Sequence, residues 1–309
     1  MNNSQTPRVF YEIFVRSYCD SNRDGIGDLN GITSKLDYLV ELGVEGIWLT
    51  PFCKSNSYHK YDVIDYKSVD PENGSMEDLE RLIHGAHKRG IKVLFDFVIN
   101  HTSSSHRWFL EAKKGKDNPF RNYYYWMNPE EIKKRGIEKR RETADSQETQ
   151  PWHWVKKGEE EKYYGLFWSE MPDLNMDNPA VRNEIYEIGR FWLEKGIDGF
   201  RMDAAKHIYP DWEVNKAHDF WVEFRKKMEA IKSDVYIVGE VWTSAEKIAP
   251  FFRGLKANFN FDLAFAIQDI VKTGKVEKDI VKMLLGNYRI FSKENPDFID
   301  ATMLTNHDQ

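Results

Sequence analysis

The fold is decided by the stretch Gly199-Phe200-Arg201-Met202-Asp203-Ala204-Ala205-Lys206-His207. Residues 197–203 are apolar at alternate positions and follow Gly196, which indicates a β-strand that begins after a helix. Alternate side chains of a strand lie on opposite faces, so Arg201 and Asp203 share one face at the strand's carboxyl end. Burying such a pair is costly unless the two charges compensate each other. A structural ion pair would explain this stretch alone, but acidic residues also follow other predicted strands.

Strand and helix patterns alternate along the chain on both sides of this stretch. Strands are predicted at 9–15, 44–50, 91–97, 197–203, 235–240, 257–261 and 299–305, and helices at 31–42, 75–89, 178–195, 215–231 and 277–291. Alternation of this kind indicates an α/β fold, either a (β/α)8 TIM barrel or a doubly wound sheet. Polar residues at the carboxyl ends of most strands favour the barrel. The doubly wound alternative has no complete phosphate-binding motif, because residues 25–30 (GIGDLN) lack the third glycine.

The predicted domain organisation is a barrel with one insertion. Residues 1–100 form the first part of the barrel, residues 101–177 an inserted subdomain B after the third strand, and residues 178–309 the rest of the barrel. The insertion is far longer than an ordinary connection between strand and helix. We expect about seven β/α units and no C-terminal β domain. An open barrel exposes strand edges, so a complementing chain or a missing C-terminal segment is an expected partner.

Composition narrows the function classes. The 309 residues are 41% hydrophobic, enough for a large core, and the formal net charge of −6 argues against a general nucleic-acid-binding surface. No apolar run approaches the length of a membrane span, and the polar start at residues 1–7 carries no secretion signal. A cytoplasmic protein is expected, with a mature secreted form as the alternative. Cys19 and Cys53 are expected to be reduced thiols.

Three acidic residues follow predicted strands. Asp203 ends the fourth strand, Glu240 ends the fifth, and Asp308 follows the seventh. Neighbouring strands lie about 4.8 Å apart, so Asp203 and Glu240 can face each other at the roughly 5 Å separation of retaining glycosidases. Arg201 and three histidines also lie at strand ends, namely His101, His207 and His307. So many polar side chains at one end of a barrel are difficult to explain as structural residues.

Five motifs in order resemble the α-amylase family, glycoside hydrolase family 13. Residues 96–101 (DFVINH), 199–207 (GFRMDAAKH), 239–242 (GEVW) and 305–308 (TNHD) are similar to its four signature regions, and residues 171–175 (MPDLN) to its fifth. The motifs extend over most of the chain. The resemblance implies a (β/α)8 barrel that cleaves or transfers α-glucosidic bonds.

The same resemblance implies roles for the three acids. Asp203 would be the nucleophile, Glu240 the general acid/base, and Asp308 the acid that stabilises the transition state. Arg201 is expected to lower the pKa of Asp203, whereas the surroundings of Glu240 should raise its pKa so that it can donate a proton.

Sugar contacts are also implied by the resemblance. The expected substrate-binding residues are Tyr61, Asp62, His101, Arg201, Lys206, His207 and His307. Tyr61 would stack on the sugar, and Asp62 would bind hydroxyl groups on the non-leaving side. Lys60 stands where relatives commonly carry glycine, which puts the shape of this loop in question.

A candidate calcium loop follows the first strand. Side-chain oxygen donors alternate along residues 20–28, and they belong to Asp20, Asn22, Asp24 and Asp28. Hard oxygen donors suit Ca²⁺. Read as an EF-hand, the loop would have Gly31 at position 12 in place of the bidentate glutamate, so it is not an EF-hand. It resembles the calcium loop of many α-amylase-family enzymes, and this resemblance implies the backbone carbonyl of Ile26 as a further ligand. An Asp/Gly-rich surface turn is the alternative.

The expected substrate is an α-glucan. Ala204 and the Lys206-His207 pair resemble members that act on α-1,4 bonds, while residues 171–175 resemble a group between oligo-1,6-glucosidases and neopullulanase-type enzymes. We therefore expect a retaining hydrolase of starch or maltooligosaccharides. The alternatives are an α-glucosidase, an oligo-1,6-glucosidase or a glucanotransferase of the same family, or an inactive fragment or non-catalytic carbohydrate-binding relative.

Overall fold

The computed structural model describes residues 6–140, 149–276 and 279–308. In chain order the strands are β1 Phe10–Ile13, β2 Gly46–Leu49, β3 Cys53–Ser55, β4 Val63–Val69, β5 Lys92–Phe97, β6 Trp126–Met127, β7 Trp152–His153, β8 Lys162–Tyr164, β9 Gly199–Met202, β10 Tyr236–Gly239, β11 Ala257–Asn260 and β12 Ile299–Thr302. The helices are α1 Val15–Tyr18, α2 Leu29–Ser34, α3 Leu36–Glu41, α4 Met76–Lys88, α5 Arg107–Ala112, α6 Pro129–Arg135, α7 Pro179–Glu194, α8 Val214–Glu229, α9 Ala245–Ile248, α10 Phe261–Thr273 and α11 Ile280–Glu294.

Across the described residues, seven strands form one parallel sheet in the order β1-β2-β5-β9-β10-β11-β12. This order follows the chain, as it does in a barrel, and the doubly wound alternative is therefore wrong. Within these residues no pairing joins β12 to β1, so the sheet curls as an incomplete barrel. Helices between the strands cover its outer face, as βαβ units require.

Side chains of alternate strand positions separate the barrel interior from the helical layer. Trp48, Leu94, Val238 and Ala257 form a small cluster inside the sheet. Phe200 and Met202 belong instead to the main core between the sheet and the helices. Arg201 therefore lies on the opposite face of β9 from Phe200 and Met202, as the alternation predicted, and this face is the barrel interior. Gly199 is required at the start of β9, because a Cβ atom there would collide with the carbonyl oxygen of Tyr236 on β10.

Local capping explains several helix boundaries. Ser75 and Asp78 form a capping box at the start of α4, and Asn178 caps α7 before Pro179. The helix predicted at 31–42 is two helices, α2 and α3, which meet at Lys35. The pattern also missed α10, which begins directly after β11.

Residues between β5 and α7 add a separate small unit above the sheet. Strands β6, β8 and β7 form a three-stranded antiparallel sheet. Its core contains Ile132, Trp152, Tyr164 and Leu166. The exact boundaries 1–100, 101–177 and 178–309 stay a prediction. Residues 141–148 of the insertion lie outside the described residues.

None of the helices in the described ranges is long and apolar enough to cross a lipid bilayer. Cys19 and Cys53 are both free, as expected, and Cys53 is buried.

Candidate active site

Two acidic side chains meet at the carboxyl ends of β9 and β10. The strands are in parallel register, with Met202 opposite Gly239, so Asp203 and Glu240 follow at neighbouring positions. The Glu240 backbone N–H donates to the Met202 carbonyl at 3.0 Å and continues that register. Ala204 adopts φ +45°, and its N–H donates to Glu240 Oε2 at 3.0 Å. The sheet therefore brings both acids to one pocket.

Arg201 links these acids to a third. Its Nη1 lies 2.6 Å from Asp203 Oδ1 and 2.9 Å from Asp96 Oδ1, and its Nη2 lies 2.8 Å from Glu240 Oε1. The Arg201 side chain is 1% exposed. One buried guanidinium thus faces three carboxyl groups. Its single charge cannot compensate three carboxylates, so the arrangement favours a proton on at least one of them.

The pKa directions follow from this imbalance. Burial raises the pKa of Asp203, and Arg201 opposes the change without cancelling it. The expectation that Arg201 would lower the pKa of Asp203 is therefore wrong in its net direction, because burial is the larger effect. Burial also raises the pKa of Glu240, with Asp203 adding to the rise. This is the direction that a proton donor needs at neutral pH.

Asp96 is a further functional candidate. It begins the motif at residues 96–101, but the sequence analysis gave it no role. It is the penultimate residue of β5, and its Oδ2 accepts from Trp48 Nε1 at 3.0 Å and from Tyr61 Oη at 2.9 Å. Burial raises its pKa to about 7 despite Arg201. A lone acid within an otherwise apolar buried strand was the signal that could have identified it.

Tyr61, His307 and Asp308 complete this end of the barrel. The rings of Tyr61 and His307 stack with centroids 5.5 Å apart. Asp308 Oδ2 lies 3.3 Å from His307 Nε2, and the negative charge of Asp308 adds to the raised pKa of Asp203. The structure thus brings all three predicted acids to one site. The Asp308 side chain is 47% exposed, so it faces the open side of the cleft.

The remaining histidines lie around the same cleft. His101 Nε2 is 3.2 Å from the Tyr61 carbonyl oxygen, and burial lowers the His101 pKa to about 4, so its imidazole is neutral at neutral pH. His207 Nδ1 is 3.2 Å from Asp211 Oδ1. The Phe167 ring lies 5.6 Å from the ring of His101 and 5.7 Å from that of His207. An aromatic residue of the insertion therefore contacts the candidate site.

Lys206 lies at the β10 side of the cleft. Its Nζ donates to the Trp242 carbonyl oxygen at 3.1 Å, and the Trp242 ring stacks on Phe261 at 4.8 Å. Lys206 is thereby held beside Trp242, two residues after Glu240.

Asp62, another expected sugar contact, is buried and bonded to neighbouring serines. It is 2% exposed, and its Oδ1 accepts hydrogen bonds from Ser55 and Ser57. The loop before it is shaped by Lys60, which has φ +62° and whose Nζ lies 3.0 Å from both Asp70 and Glu72. Lysine therefore serves here as a buried charge partner. The sugar contact expected of Asp62 stays a prediction.

Asp173, in the fifth motif, is buried between the insertion and the barrel. Its Oδ1 accepts from the Leu166 backbone N–H at 2.9 Å, and its Oδ2 lies 3.3 Å from Asn100 Nδ2. Burial raises its pKa to about 7 in spite of these bonds. Asp173 therefore joins Asp96, Asp203 and Glu240 as an acid at this end of the barrel whose ionised form is disfavoured.

The candidate calcium loop is closed by its own hydrogen bonds. Asp20 accepts from the backbone N–H groups of residues 22, 23 and 25, and Asp24 accepts from Ile26 N and Asn22 Nδ2. Asp28 is buried and accepts from Ser21 and from Gly31 N, where it caps α2. The donors fit calcium by chemistry. In the described part of the chain, however, no group of three or more Asp, Glu, His or Cys residues is arranged to hold a metal ion.

Comparison with known proteins agrees with this geometry. A family model described as "Alpha amylase, catalytic domain" matches residues 12–309. The chain belongs to the α-amylase family. A relative named Alpha-amylase 3, from Dictyoglomus thermophilum, is 46% identical over 97% of this chain and 56% of its own length. A 4-alpha-glucanotransferase from Thermotoga maritima is 36% identical over 97% of this chain and 63% of its own length.

Solved structures show the same relationship. The alpha-amylase from H. orenii superposes with a TM-score of 0.86 and 43% sequence identity, covering 97% of this chain and 61% of that one. The family and the barrel fold predicted from the sequence are confirmed. This α-amylase-family chain spans between 56% and 63% of the length of these three proteins.

Proposed function

We propose that this chain carries the catalytic site of a retaining α-glucan hydrolase that cleaves α-1,4-glucosidic bonds of starch or maltooligosaccharides. The observation that carries the proposal is the sharing of one buried guanidinium by Asp203 and Glu240 on adjacent strands. Neighbouring strands are about 4.8 Å apart, which suits the roughly 5–5.5 Å between the carboxyl groups of retaining glycosidases and is too close for inverting ones.

The reaction divides into two steps with distinct roles for the two acids. The Asp203 carboxylate attacks the anomeric carbon while Glu240 gives its proton to the departing glycosidic oxygen, which leaves a glycosyl ester on Asp203. Glu240 then removes a proton from water, the water oxygen bonds to the anomeric carbon, and Asp203 is released as a carboxylate. Raised pKa of Glu240 supports its role as the first proton donor. Asp308, beside His307, is proposed to stabilise the positive charge that develops on the sugar.

Transfer to a sugar hydroxyl is the closest alternative, since it differs only in which group intercepts the glycosyl ester. The similarity to a 4-alpha-glucanotransferase favours keeping it as the second candidate. The α-1,4 preference is supported by Ala204 and the Lys206-His207 pair and by the similarity to Alpha-amylase 3.

Product analysis separates these activities. Purified chain is incubated with maltoheptaose and with panose, and products and reducing ends are quantified. Shorter maltooligosaccharides with a gain of reducing ends, formed from maltoheptaose, are expected. Disproportionation without that gain would replace hydrolysis by transfer. Release of maltose from panose would indicate α-1,6 cleavage, whereas isomaltose would indicate α-1,4 cleavage. No turnover of either sugar would contradict a catalytic role for this chain. Asp203→Asn is the background control.

We also propose that the loop at residues 20–28 binds structural Ca²⁺. Asp20, Asn22, Asp24 and the Ile26 carbonyl would supply oxygens, and Asp28 would exchange one of its present hydrogen bonds for the ion. Calcium binding should raise the melting temperature of the native chain, and Asp24→Asn should reduce that increase. An equal melting temperature with calcium and with a chelator would contradict the proposal.

A further inference from the structure

His307 is held between two elements that are distant in sequence. Its Nδ1 lies 2.6 Å from Glu12 Oε1 on β1, and its Nε2 lies 2.8 Å from Tyr61 Oη. The Glu12 and His307 side chains are only 20% and 16% exposed. Glu12 is opposite Trp48 in the β1–β2 register, and the Trp48 and His307 rings are 5.9 Å apart. Sequence reasoning assigned no role to Glu12.

Hydrogen-bond accounting determines which protons this arrangement needs. A glutamate carboxylate only accepts, so His307 Nδ1 must carry a proton. The single hydroxyl proton of Tyr61 is donated to Asp96 Oδ2 at 2.9 Å. The contact between Tyr61 Oη and His307 Nε2 then requires a proton on Nε2 as well. His307 is therefore an imidazolium in this arrangement, and Asp96 is ionised.

A second arrangement holds the same number of protons. In it the proton lies on Asp96, which donates to Tyr61, and Tyr61 donates to a neutral His307 Nε2. Glu12 stabilises the imidazolium and Arg201, 2.9 Å from Asp96 Oδ1, stabilises the ionised acid. Both charges therefore favour the first arrangement, and they oppose the burial that raises the pKa of Asp96.

We infer that Glu12 is a positioning residue: by accepting the Nδ1 proton of His307 it keeps the imidazole doubly protonated, which directs the Tyr61 hydroxyl towards Asp96 and leaves that acid ionised beside Arg201. Arg201 then divides its charge among Asp96, Asp203 and Glu240. Without the Glu12 charge, the proton moves to Asp96, and the guanidinium acts more strongly on Asp203 and Glu240. The pKa of Glu240 falls in consequence, so the proton donor is lost at lower pH.

Charged and titratable groups from several elements surround His307. The titratable groups that face or influence it are Glu12 from β1, His59 and Tyr61 from the loop before β4, Asp96 from β5, Arg201 and Asp203 from the β9 end, and Asp308 beside it. Burial lowers the pKa of His307, but the Glu12 hydrogen bond and the charge of Asp308 outweigh burial and Arg201, so the net pKa is raised. Among the effects that raise the pKa of His307, the hydrogen bond to Glu12 is the largest.

The decisive experiment measures His307 directly. Full-length chain with ¹⁵N-labelled histidine is titrated by NMR, and the His307 signals are identified by their loss in His307→Gln. Nitrogen chemical shifts distinguish the imidazolium from either neutral form. Glu12→Gln keeps the shape and one acceptor but removes the charge, and we expect the His307 midpoint to fall by about one pH unit or more. Glu12→Asp should restore part of the shift.

Glu41→Gln on the exposed surface of α3 is the matched control and should leave the midpoint unchanged. An unchanged His307 midpoint in Glu12→Gln, or a His307 that is neutral in the native chain near pH 6, would overturn the inference. Neither result depends on turnover.

The kinetic measurement rests on the proposed function. In Glu12→Gln the basic limb of kcat/KM for a chromogenic maltooligosaccharide should move to lower pH by about one unit, with kcat affected more than KM. A shifted NMR midpoint with an unshifted basic limb would overturn the step from His307 to Glu240. Absence of turnover in the native chain would contradict the proposed function and leave the NMR result to decide the role of Glu12.

Discussion

The two ends of strand β9 show opposite ways of burying acids. Asp198 immediately precedes the strand at the amino end of the barrel and is 3% exposed. Its carboxylate lies 2.6 Å from His87 Nε2, 3.0 Å from Lys92 Nζ and 3.4 Å from Lys232 Nζ. At the carboxyl end, three acids share the guanidinium of Arg201.

The pKa values of the buried acids therefore differ between the two ends of the barrel. Burial alone would raise the pKa of Asp198, but His87, the Val93 N–H and Lys92 together lower it to about 2. Burial prevails for Asp96, Asp203 and Glu240, whose pKa values are raised. One end of the barrel is therefore built for stability. The other keeps acids incompletely compensated, which is the condition for a proton donor and a nucleophile in one pocket.

The largest contrast is expected for Asp203→Asn. Activity on maltooligosaccharides should fall by at least about a thousandfold, because the amide cannot form the glycosyl ester. The free energy of unfolding should stay equal or rise by about 1 kcal/mol, because one uncompensated acid is removed. Steady-state kinetics and urea unfolding measure both. The exposed Asp297→Asn should change neither, and a strongly destabilised Asp203→Asn would contradict the comparison.

Asp198→Asn should give the reverse pattern. Loss of the carboxylate leaves Lys92, His87 and Lys232 without their shared partner and should cost about 3 kcal/mol of unfolding free energy. The kcat of the folded fraction should remain within about twofold, since Asp198 lies at the opposite end of the barrel. Urea unfolding and active-site titration test this, with exposed Asp117→Asn as the matched variant. Equal stability of the two variants would show that the cations are satisfied by solvent alone.

The two ends should also respond to pH in opposite directions. Asp198, with its folded pKa lowered to about 2, contributes stability above about pH 4 that is lost as pH falls towards 2. Asp173, with its folded pKa raised to about 7, contributes stability below about pH 4 that is lost as pH rises through 7.

Asp173→Asn should therefore flatten the pH dependence of unfolding by about 2 kcal/mol between about pH 5 and pH 7. Asp198→Asn should flatten only the limb below about pH 4. Thermal or urea unfolding across the pH range measures both slopes. The assignment would be contradicted if the free energy of unfolding increased from pH 5 to pH 7 by the same amount in the wild-type chain and in both variants.

Sequence patterns predicted the parts of this molecule that depend on local order. The alternation of strands and helices, the capping of α4 by Ser75 and the meeting of Asp203 with Glu240 follow from periodicity, side-chain type and strand adjacency. Helix α9, by contrast, is preceded by Ser244 and has no side-chain cap. Four-residue helices are set by packing more than by caps.

Contacts between distant segments were not predictable in the same way. Hydrogen bonds connect Glu12 to His307, His307 to Tyr61, and Tyr61 to Asp96. These residues are far apart in the sequence, so local spacing does not predict their contacts. The net direction of the Asp203 pKa was mistaken for the same reason. Its sign depends on how deeply the pocket is buried and how many acids share Arg201, and these are properties of the folded chain.

In the proposed mechanism Asp203 forms the glycosyl ester, while Glu240 donates a proton and later removes one from water. This division of roles can be tested by trapping that ester with a fluorinated maltosyl fluoride, which forms the intermediate faster than water releases it, followed by peptide mass spectrometry. We expect a sugar covalently attached to Asp203 in the native chain and none in Asp203→Asn. Attachment to Glu240, or turnover that releases an inverted anomer with no labelled peptide, would contradict it.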